Sequence, residues 1–250
     1  NEDAYAWARF AKAIGTSNVD AQLDDGLPTA VYGYQQATID DAANANTVIL
    51  LSPDVKEELP ILYLRLRDSA QKRRGRLIEF SPKATGLSRE TWKTVTYEPG
   101  QQIAAVRNTL SDTSVVSQMN KGSVVVVVGR ANLAESAELT MAALGAVMEL
   151  VPQASVLPVL RRGNVRGALA AGLGAGDAST ILDQAAAGRI NCLVLLGSDP
   201  LSDVPDTDLA RRALAAVPNV ISIDTNRHAS NENATVILPA AAFGEKDGTT

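Results

Sequence analysis

The chain has 250 residues, with 23 Lys and Arg against 28 Asp and Glu, one His and one Cys. That single Cys (Cys192) and single His (His228) cannot build a Cys/His zinc site, hold an iron–sulfur cluster or form an internal disulfide within these residues. A net charge of −5 argues against a phosphate-backbone binder, so no nucleic-acid partner is expected. The length suits one large domain or two small ones. Hydrophobic residues make up 46% and aromatics only 4%, so the core must be Ala, Val and Leu, the usual filling of parallel sheets covered by helices. No apolar run reaches the roughly 18 to 20 residues that span a bilayer, so no direct membrane insertion is expected. The opening NEDAYAWARF is acidic and amphipathic, unlike a signal peptide. With Asn1 in place of an initiator Met and EKDGTT at the other end, the chain reads as a piece of something longer.

In chain order, Asn1 suits an N-cap, and Trp7, Phe10, Ala11 and Ile14 recur at helical spacing up to Gly15. A polar stretch over 16–28 follows, then a β-branched strand at 47–51 and a helical pattern through Ile61, Leu62, Leu66 and Ala70. Short strands are expected at 76–80 and 92–97, with a helix through Ile103, Val106 and Leu110. Five consecutive valines at 124–128 make the clearest strand, one buried on both faces. Residues 135–151 form a long helix, Pro152 and Pro158 bracket a strand at 154–157, and 161–176 is a loop bearing Gly and Arg. Beyond it come a helix at 177–187, a strand at 192–196, a helix at 206–216, and strands at 220–223 and 236–238. Strand alternating with helix predicts a parallel α/β sheet with right-handed crossovers, and the loop marks the boundary between two units.

Several motifs carry two readings. Gly197-Ser198-Asp199-Pro200 directly follows a strand, where ligands of open α/β sheets bind. The Gly admits close approach of a phosphate or nucleobase, or it simply makes the turn. Ser52-Pro53-Asp54 is a degenerate copy with Ser in place of Gly, and hints at duplication. The run from Gly172 to Gly176 lacks the spacing and the preceding strand of a dinucleotide loop, and reads as a flexible connection. Gly163-Asn164-Val165-Arg166-Gly167 suits either an anion grip or a tight turn. Arg65, Arg67, Lys72, Arg73, Arg74 and Arg76 are a solvated helix end or a docking patch for an acidic partner. His228 lies four residues past Asp224, close enough to imagine an acid/base pair, but G-x-S-x-G is absent and a surface loop residue is the expectation. Cys192 opens an apolar strand and is expected to be an inert core thiol.

The ordered set CLVLLGSDPLSDVPDTD, then NVISIDTNRHASNENATVILPAAAFGEKDGTT, preceded by VVVVVGRANLAESAELTMAALGAVMEL and NTVILLSPDVKEELPILYLRLRDSA, resembles the molybdopterin oxidoreductase superfamily, the relatives of formate dehydrogenase and DMSO reductase. Within it, EELPILYLRLR and NEDAYAWARFAKAIGTSNVD look most like the branch that forms part of the large iron–sulfur subunit in bacterial NADH-quinone oxidoreductase, respiratory complex I. The resemblance implies two Rossmann-like, doubly wound parallel sheets in three α/β/α layers: a first domain over 1–160, and over 161–250 part of a second. The rest of that second domain would lie outside the chain. It also implies iron–sulfur domains upstream, no cofactor within these residues, peripheral-arm subunits of the complex as partners, and a cytoplasmic place on the membrane face.

Departures from the catalytic relatives point to a scaffold. Where those relatives present Cys, selenocysteine or Ser to the metal, this chain has Ala21-Gln22-Leu23-Asp24-Asp25-Gly26, with no soft ligand and no catalytic residue expected. Leu160 stands at the position of an active-site Arg, with Arg161 adjacent. Ser52 replaces a dinucleotide-loop Gly, and only Gly197, Ser198, Asp199 and Pro200 keep the family pattern, as a vestigial dinucleotide loop. The rival expectation is an active molybdopterin enzyme, formate dehydrogenase-like, holding a pterin guanine dinucleotide through Gly197–Pro200 and Arg166.

Overall fold

The computed structural model describes residues 2–72, 74–133, 135–174 and 176–248. The expected cap at Asn1 and the Arg73 of the basic cluster lie outside them. In chain order the elements are α1 (Glu2–Ala13), α2 (Ile39–Asn44), β1 (Thr47–Leu51), α3 (Val55–Glu58), α4 (Pro60–Gln71), β2 (Arg76–Ser81), β3 (Lys93–Thr96), α5 (Gln102–Leu110) and α6 (Thr113–Met119). Then follow β4 (Val124–Val128), α7 (Ala137–Leu150), β5 (Ser155–Pro158), α8 (Val165–Ala171), α9 (Ala178–Ala186), β6 (Cys192–Leu196), α10 (Pro200–Asp203), α11 (Thr207–Ala216), β7 (Asn219–Asp224) and β8 (Val236–Pro239). The chain divides into two compact units, one of residues 26–161 and one of 1–25 together with 162–250. The first 25 residues therefore belong with the later segment, and not with the stretch that follows them. No helix among the described residues is long and apolar enough to cross a membrane.

The unit 26–161 is built on a five-stranded parallel sheet in the order β3-β2-β1-β4-β5. Every residue of β1 and β4 is buried, which is why neither strand alternates in polarity. Ile49, Leu51, Phe80, Val126 and Val128 pack with α5 and α7 through Val106, Leu110, Ala143 and Val147. Val48, Leu50, Leu77, Val125 and Val127 face the other way, onto Ala42, Val55, Leu62 and Leu66 of α2, α3 and α4. Three α/β/α layers result. Local chemistry places the shorter helices: Thr38 and Asp41 form a reciprocal capping box on α2, and the Asp112 carboxylate accepts from the first turn of α6. The incoming and outgoing ends of this unit lie side by side, Ala37 N donating to Val156 O at 2.8 Å and Val156 N to Gln35 O at 2.7 Å.

The other unit carries a three-stranded parallel sheet, β6-β7-β8. Leu193, Leu195 and Val220 pack against Leu182, Ala185, Leu209 and Ala213 of α9 and α11. The expected loop at 161–176 contains α8, held between two left-handed residues, Asn164 (φ 55) and the capping Gly172 (φ 103). Asn164 therefore makes the tight turn of the two readings.

Candidate functional site

Open α/β sheets bind ligands beyond the carboxyl ends of their strands, where the strand order reverses. In the unit 26–161 the reversal lies between β1 and β4. That crevice is occupied by the protein itself. Ser52 is buried, with its Oγ bonded to Pro53 O at 3.2 Å. Gly129 N donates to Leu51 O at 2.8 Å, and a Cβ on Gly129 would come within 2.6 Å of Val159 O. Arg130, only 7% exposed, gives its guanidinium to the carbonyls of Leu133 and Glu135. Arg161 pairs with Glu58 at 2.9 Å, and Leu160 packs against the apolar core.

The corresponding strand ends of the other unit are more polar. Gly197 ends β6 with φ +55, and no atom lies within 4 Å of where its Cβ would stand. The glycine is demanded by backbone conformation, not by crowding. Ser198 lines a groove, Asp199 turns inward, and Pro200 is buried at the start of α10. Asp199 accepts from Ser202 Oγ at 2.8 Å and from the Ser230 hydroxyl. His228 sits between two carboxylates, Nε2 at 3.2 Å from Asp224 and Nδ1 at 3.4 Å from Asp199. The first contact is a hydrogen bond, the second an ion-pair distance only. Partial burial pushes both carboxyls up. Hydrogen bonds outweigh it, Ser230 and Ser202 on Asp199, Asn226 N and His228 on Asp224, and both stay below the usual carboxylate range. Fully buried Asn231 sets the loop: it accepts from His228 N at 3.0 Å, and its Nδ2 reaches Ser222 Oγ and Asn226 O, each at 3.1 Å.

A second constellation lies at residues 20–25. Leu23 and Asp24 both have positive φ (49 and 64), and Asp20 accepts from the backbone N–H groups of Gln22 and Leu23 at 2.9 and 2.6 Å. Burial raises the Asp20 carboxyl despite those two bonds. Asp24 accepts from Ser179 Oγ at 2.8 Å. Arg162 clamps the segment, reaching Asp25 at 3.0 Å, Asp203 at 3.3 Å and Gln22 O at 3.3 Å. Beside it, a groove of about 440 Å³ runs along β6, walled by Trp7, Phe10, Ile14, Ile181 and Leu182.

The family model described as molybdopterin oxidoreductase matches residues 1–250, the whole chain. The chain belongs to the molybdopterin oxidoreductase family. Among relatives of this family, the NADH-quinone oxidoreductase G subunit of Mycobacterium bovis is 29% identical across 99% of the chain and 35% of that protein. The Streptomyces coelicolor protein of the same name is 28% identical across 99% of the chain and 36% of its own length. An assimilatory nitrate reductase of Haloferax mediterranei is 25% identical across the whole chain and 47% of that enzyme. The chain thus spans about a third of the NADH-quinone oxidoreductase relatives it matches. The formyltransferase/hydrolase complex of Methylorubrum extorquens shares the fold, with a TM-score of 0.55 at 14% identity over 85% of this chain and 71% of that one.

The site differs from the sequence expectation in two places and agrees with it in a third. His228 does lie in a loop, as expected, but its side chain is drawn inward, 17% exposed, between Asp224 at the end of β7 and Asp199 at the start of α10. Cys192 is exposed and not a core thiol, because it alternates with Leu193 and Leu195 along β6 and so lies on the face opposite the one that packs on α9 and α11. The described members of the basic cluster are engaged locally: Arg65 with Asp40, Arg67 with Glu90, Lys72 and Arg74 with Asp68, and Arg76 over the Trp92 ring. That agrees with a solvated helix end and leaves little charge for an acidic partner. Ser230, Asn231 and Arg162 went unseen in the sequence, since their partners lie on other elements.

Proposed function

We propose that this chain is the molybdopterin-oxidoreductase-like part of the G subunit of an NADH-quinone oxidoreductase, and that it serves as a scaffold. In that reading the iron–sulfur clusters sit elsewhere in the same polypeptide. The partners are the peripheral-arm subunits of respiratory complex I, on the cytoplasmic face of the cell membrane. The assembly passes electrons from NADH to quinone through groups that this stretch does not hold.

The observation that carries the reading is the state of residues 20–25. The position at which the catalytic relatives present Cys, selenocysteine or Ser holds Ala21, Gln22, Leu23, Asp24 and Asp25. Cys, selenocysteine and Ser are all absent there, and its two carboxylates are already engaged, Asp24 by Ser179 and Asp25 by Arg162. These residues do not fit a molybdenum or tungsten centre, and no chemical step is assigned to one. Similarity to NADH-quinone oxidoreductase G subunits along 99% of the chain supports the same assignment. Gly197, Ser198, Asp199 and Pro200 are then a vestigial dinucleotide loop, its Asp199 now engaged with Ser202, Ser230 and His228.

The rival is an active molybdopterin enzyme binding a pterin guanine dinucleotide. The retained loop and the similarity to an assimilatory nitrate reductase favour it. Metal analysis and pterin fluorescence of the full-length polypeptide, purified anaerobically, separate the two. The scaffold predicts iron without stoichiometric molybdenum, tungsten or pterin. Stoichiometric molybdenum or tungsten overturns it.

A further inference from the structure

Helix α7 is apolar on nearly every side. Of its 14 residues only Glu138, Thr140 and Glu149 are polar, and Thr140 is buried. A helix of that composition is ordinarily enclosed. One side of α7 packs into the core through Ala143, Leu144, Ala146 and Val147, and the other is open. Leu139 and Leu150 are 38% and 40% exposed, and Ala142 is exposed as well. Its neighbour α5 follows the usual surface pattern and turns Arg107 and Asn108 outward. The three layers of the unit 26–161 are complete without a cover on α7, and an apolar side left open in this way marks a contact surface.

Helical spacing orders the open side. Glu138, Ala142, Gly145 and Glu149 follow at intervals of four, three and four residues, which sets them on one stripe. Met141 and Met148 border the stripe on one flank, Leu139 and Leu150 on the other. Gly145 keeps its middle low. Nothing lies within 4 Å of where its Cβ would stand, so no neighbour in this chain requires glycine at a position where glycine weakens the helix. The room suits a second helix approaching closely from outside. A carboxylate closes each end of the stripe, the two about 16 Å apart along the axis. Glu138 is exposed. Glu149 pairs with Arg107 at 2.6 Å, yet their side chains stay 62% and 50% exposed. Glu149 also stands in the last turn of α7, where the helix dipole disfavours an anion.

We propose that this side of α7 docks a helix of another polypeptide, one whose apolar stripe lies between basic residues about 11 positions apart. Charge decides among the occupants. Two carboxylates with no base on the stripe select a cationic partner and repel an anionic lipid surface. A second copy using the same side would set Glu138 against Glu149 of its mate, like charge on like. The chain as a whole carries a net charge of −5, so the complementary charge comes from elsewhere. The flexible Met141 and Met148 and the branched Leu139 and Leu150 supply the adaptable apolar rim such a helix packs on. Neither functional reading uses this surface, so the proposal holds or fails separately from both.

The test places the photo-crosslinker benzoylphenylalanine at position 139 of the full-length polypeptide in its native assembly and maps the adduct by peptide mass spectrometry. Expected is an adduct on a helix of another polypeptide, with Lys or Arg on both sides of its apolar stripe. Joint reversal, Glu138→Lys with Glu149→Lys, should lower the adduct at least about tenfold, and replacing the partner's flanking bases by Glu should restore it. Gly145→Leu adds bulk only on the outside. It should leave the melting temperature of the isolated polypeptide unchanged or higher, and lower the adduct as strongly. An adduct within the same polypeptide, with a second copy or with lipid overturns the proposal, and so does the absence of any adduct. An adduct that neither the reversal nor Gly145→Leu reduces overturns it as well. A partner foreign to NADH-quinone oxidoreductase upholds the docking side and counts against the scaffold reading instead.

Discussion

His228 holds two partly buried carboxylates apart, and removing it leaves them facing each other. His228→Ala is expected to destabilise its unit by about 1–3 kcal/mol, measured by chemical denaturation at neutral pH. Asp199 and Asp224 lie below their ordinary value of 3.8. Their contribution is therefore present above that value and lost as pH falls through the lower folded values. Stability should drop below about pH 4, and Ser230→Ala, which removes a hydrogen bond to Asp199, should make that drop shallower. Tyr97 shows the opposite sign. Burial, with Glu135 beside it, pushes its phenol up to about 12 from 10.0, so stability falls as pH rises between those values, where only the unfolded chain ionises. Its hydroxyl is buried without a partner. Tyr97→Phe should remove the late step from a tyrosine absorbance titration and leave neutral stability unchanged or up to about 1 kcal/mol higher. None of this was legible residue by residue. Asp224 and His228 are near in sequence, but Asp199 and Ser230 meet only because two strands end side by side.

Among the elements, legibility followed length and monotony. The valines of β4 could be nothing but a strand buried on both faces, and α7 and β6 declared themselves through long apolar patterns. The short helices did not. α8 has one buried residue, Val165, and glycines at 163, 167 and 172 that read as loop; only the left-handed residues flanking it define its ends. α2, opened by a Thr38/Asp41 capping box, was not expected from the sequence at all. Two glycines test the difference between space and conformation. Gly129→Ala would drive a methyl into Val159 O, 2.6 Å away, at a cost of about 1–3 kcal/mol. Gly197→Ala meets open space, so it should cost only the left-handed penalty of about 1 kcal/mol. Thermal melts of the two variants should rank them in that order.

At the scale of the whole chain, the two-unit organisation was half visible. The boundary near 161 announced itself as a break in the strand–helix rhythm. The membership of residues 1–25 did not, because the ties that carry it (Arg162 to Asp25, Ser179 to Asp24, Gly176 N to Val19 O at 2.8 Å) span most of the sequence. One unit is therefore continuous in sequence and the other is interrupted by it. Pulsed hydrogen exchange during refolding should protect 47–51 and 124–128 before 192–196, and Gly129→Ala should delay both. Protection of 192–196 first would contradict this order.

The paired ends of the 26–161 unit, where Gln35 and Ala37 bond to Val156, give that order a cause. An unfolded insert of such length imposes a loop-closure entropy of roughly 4 kcal/mol on any contact between the segments that flank it. Once the insert has folded, its own short parallel bridge has closed the loop, and the interrupted unit inherits two segments held as near neighbours. The bridge thus acts as a staple in time, turning the most distant contacts of the sequence into local ones before they are needed.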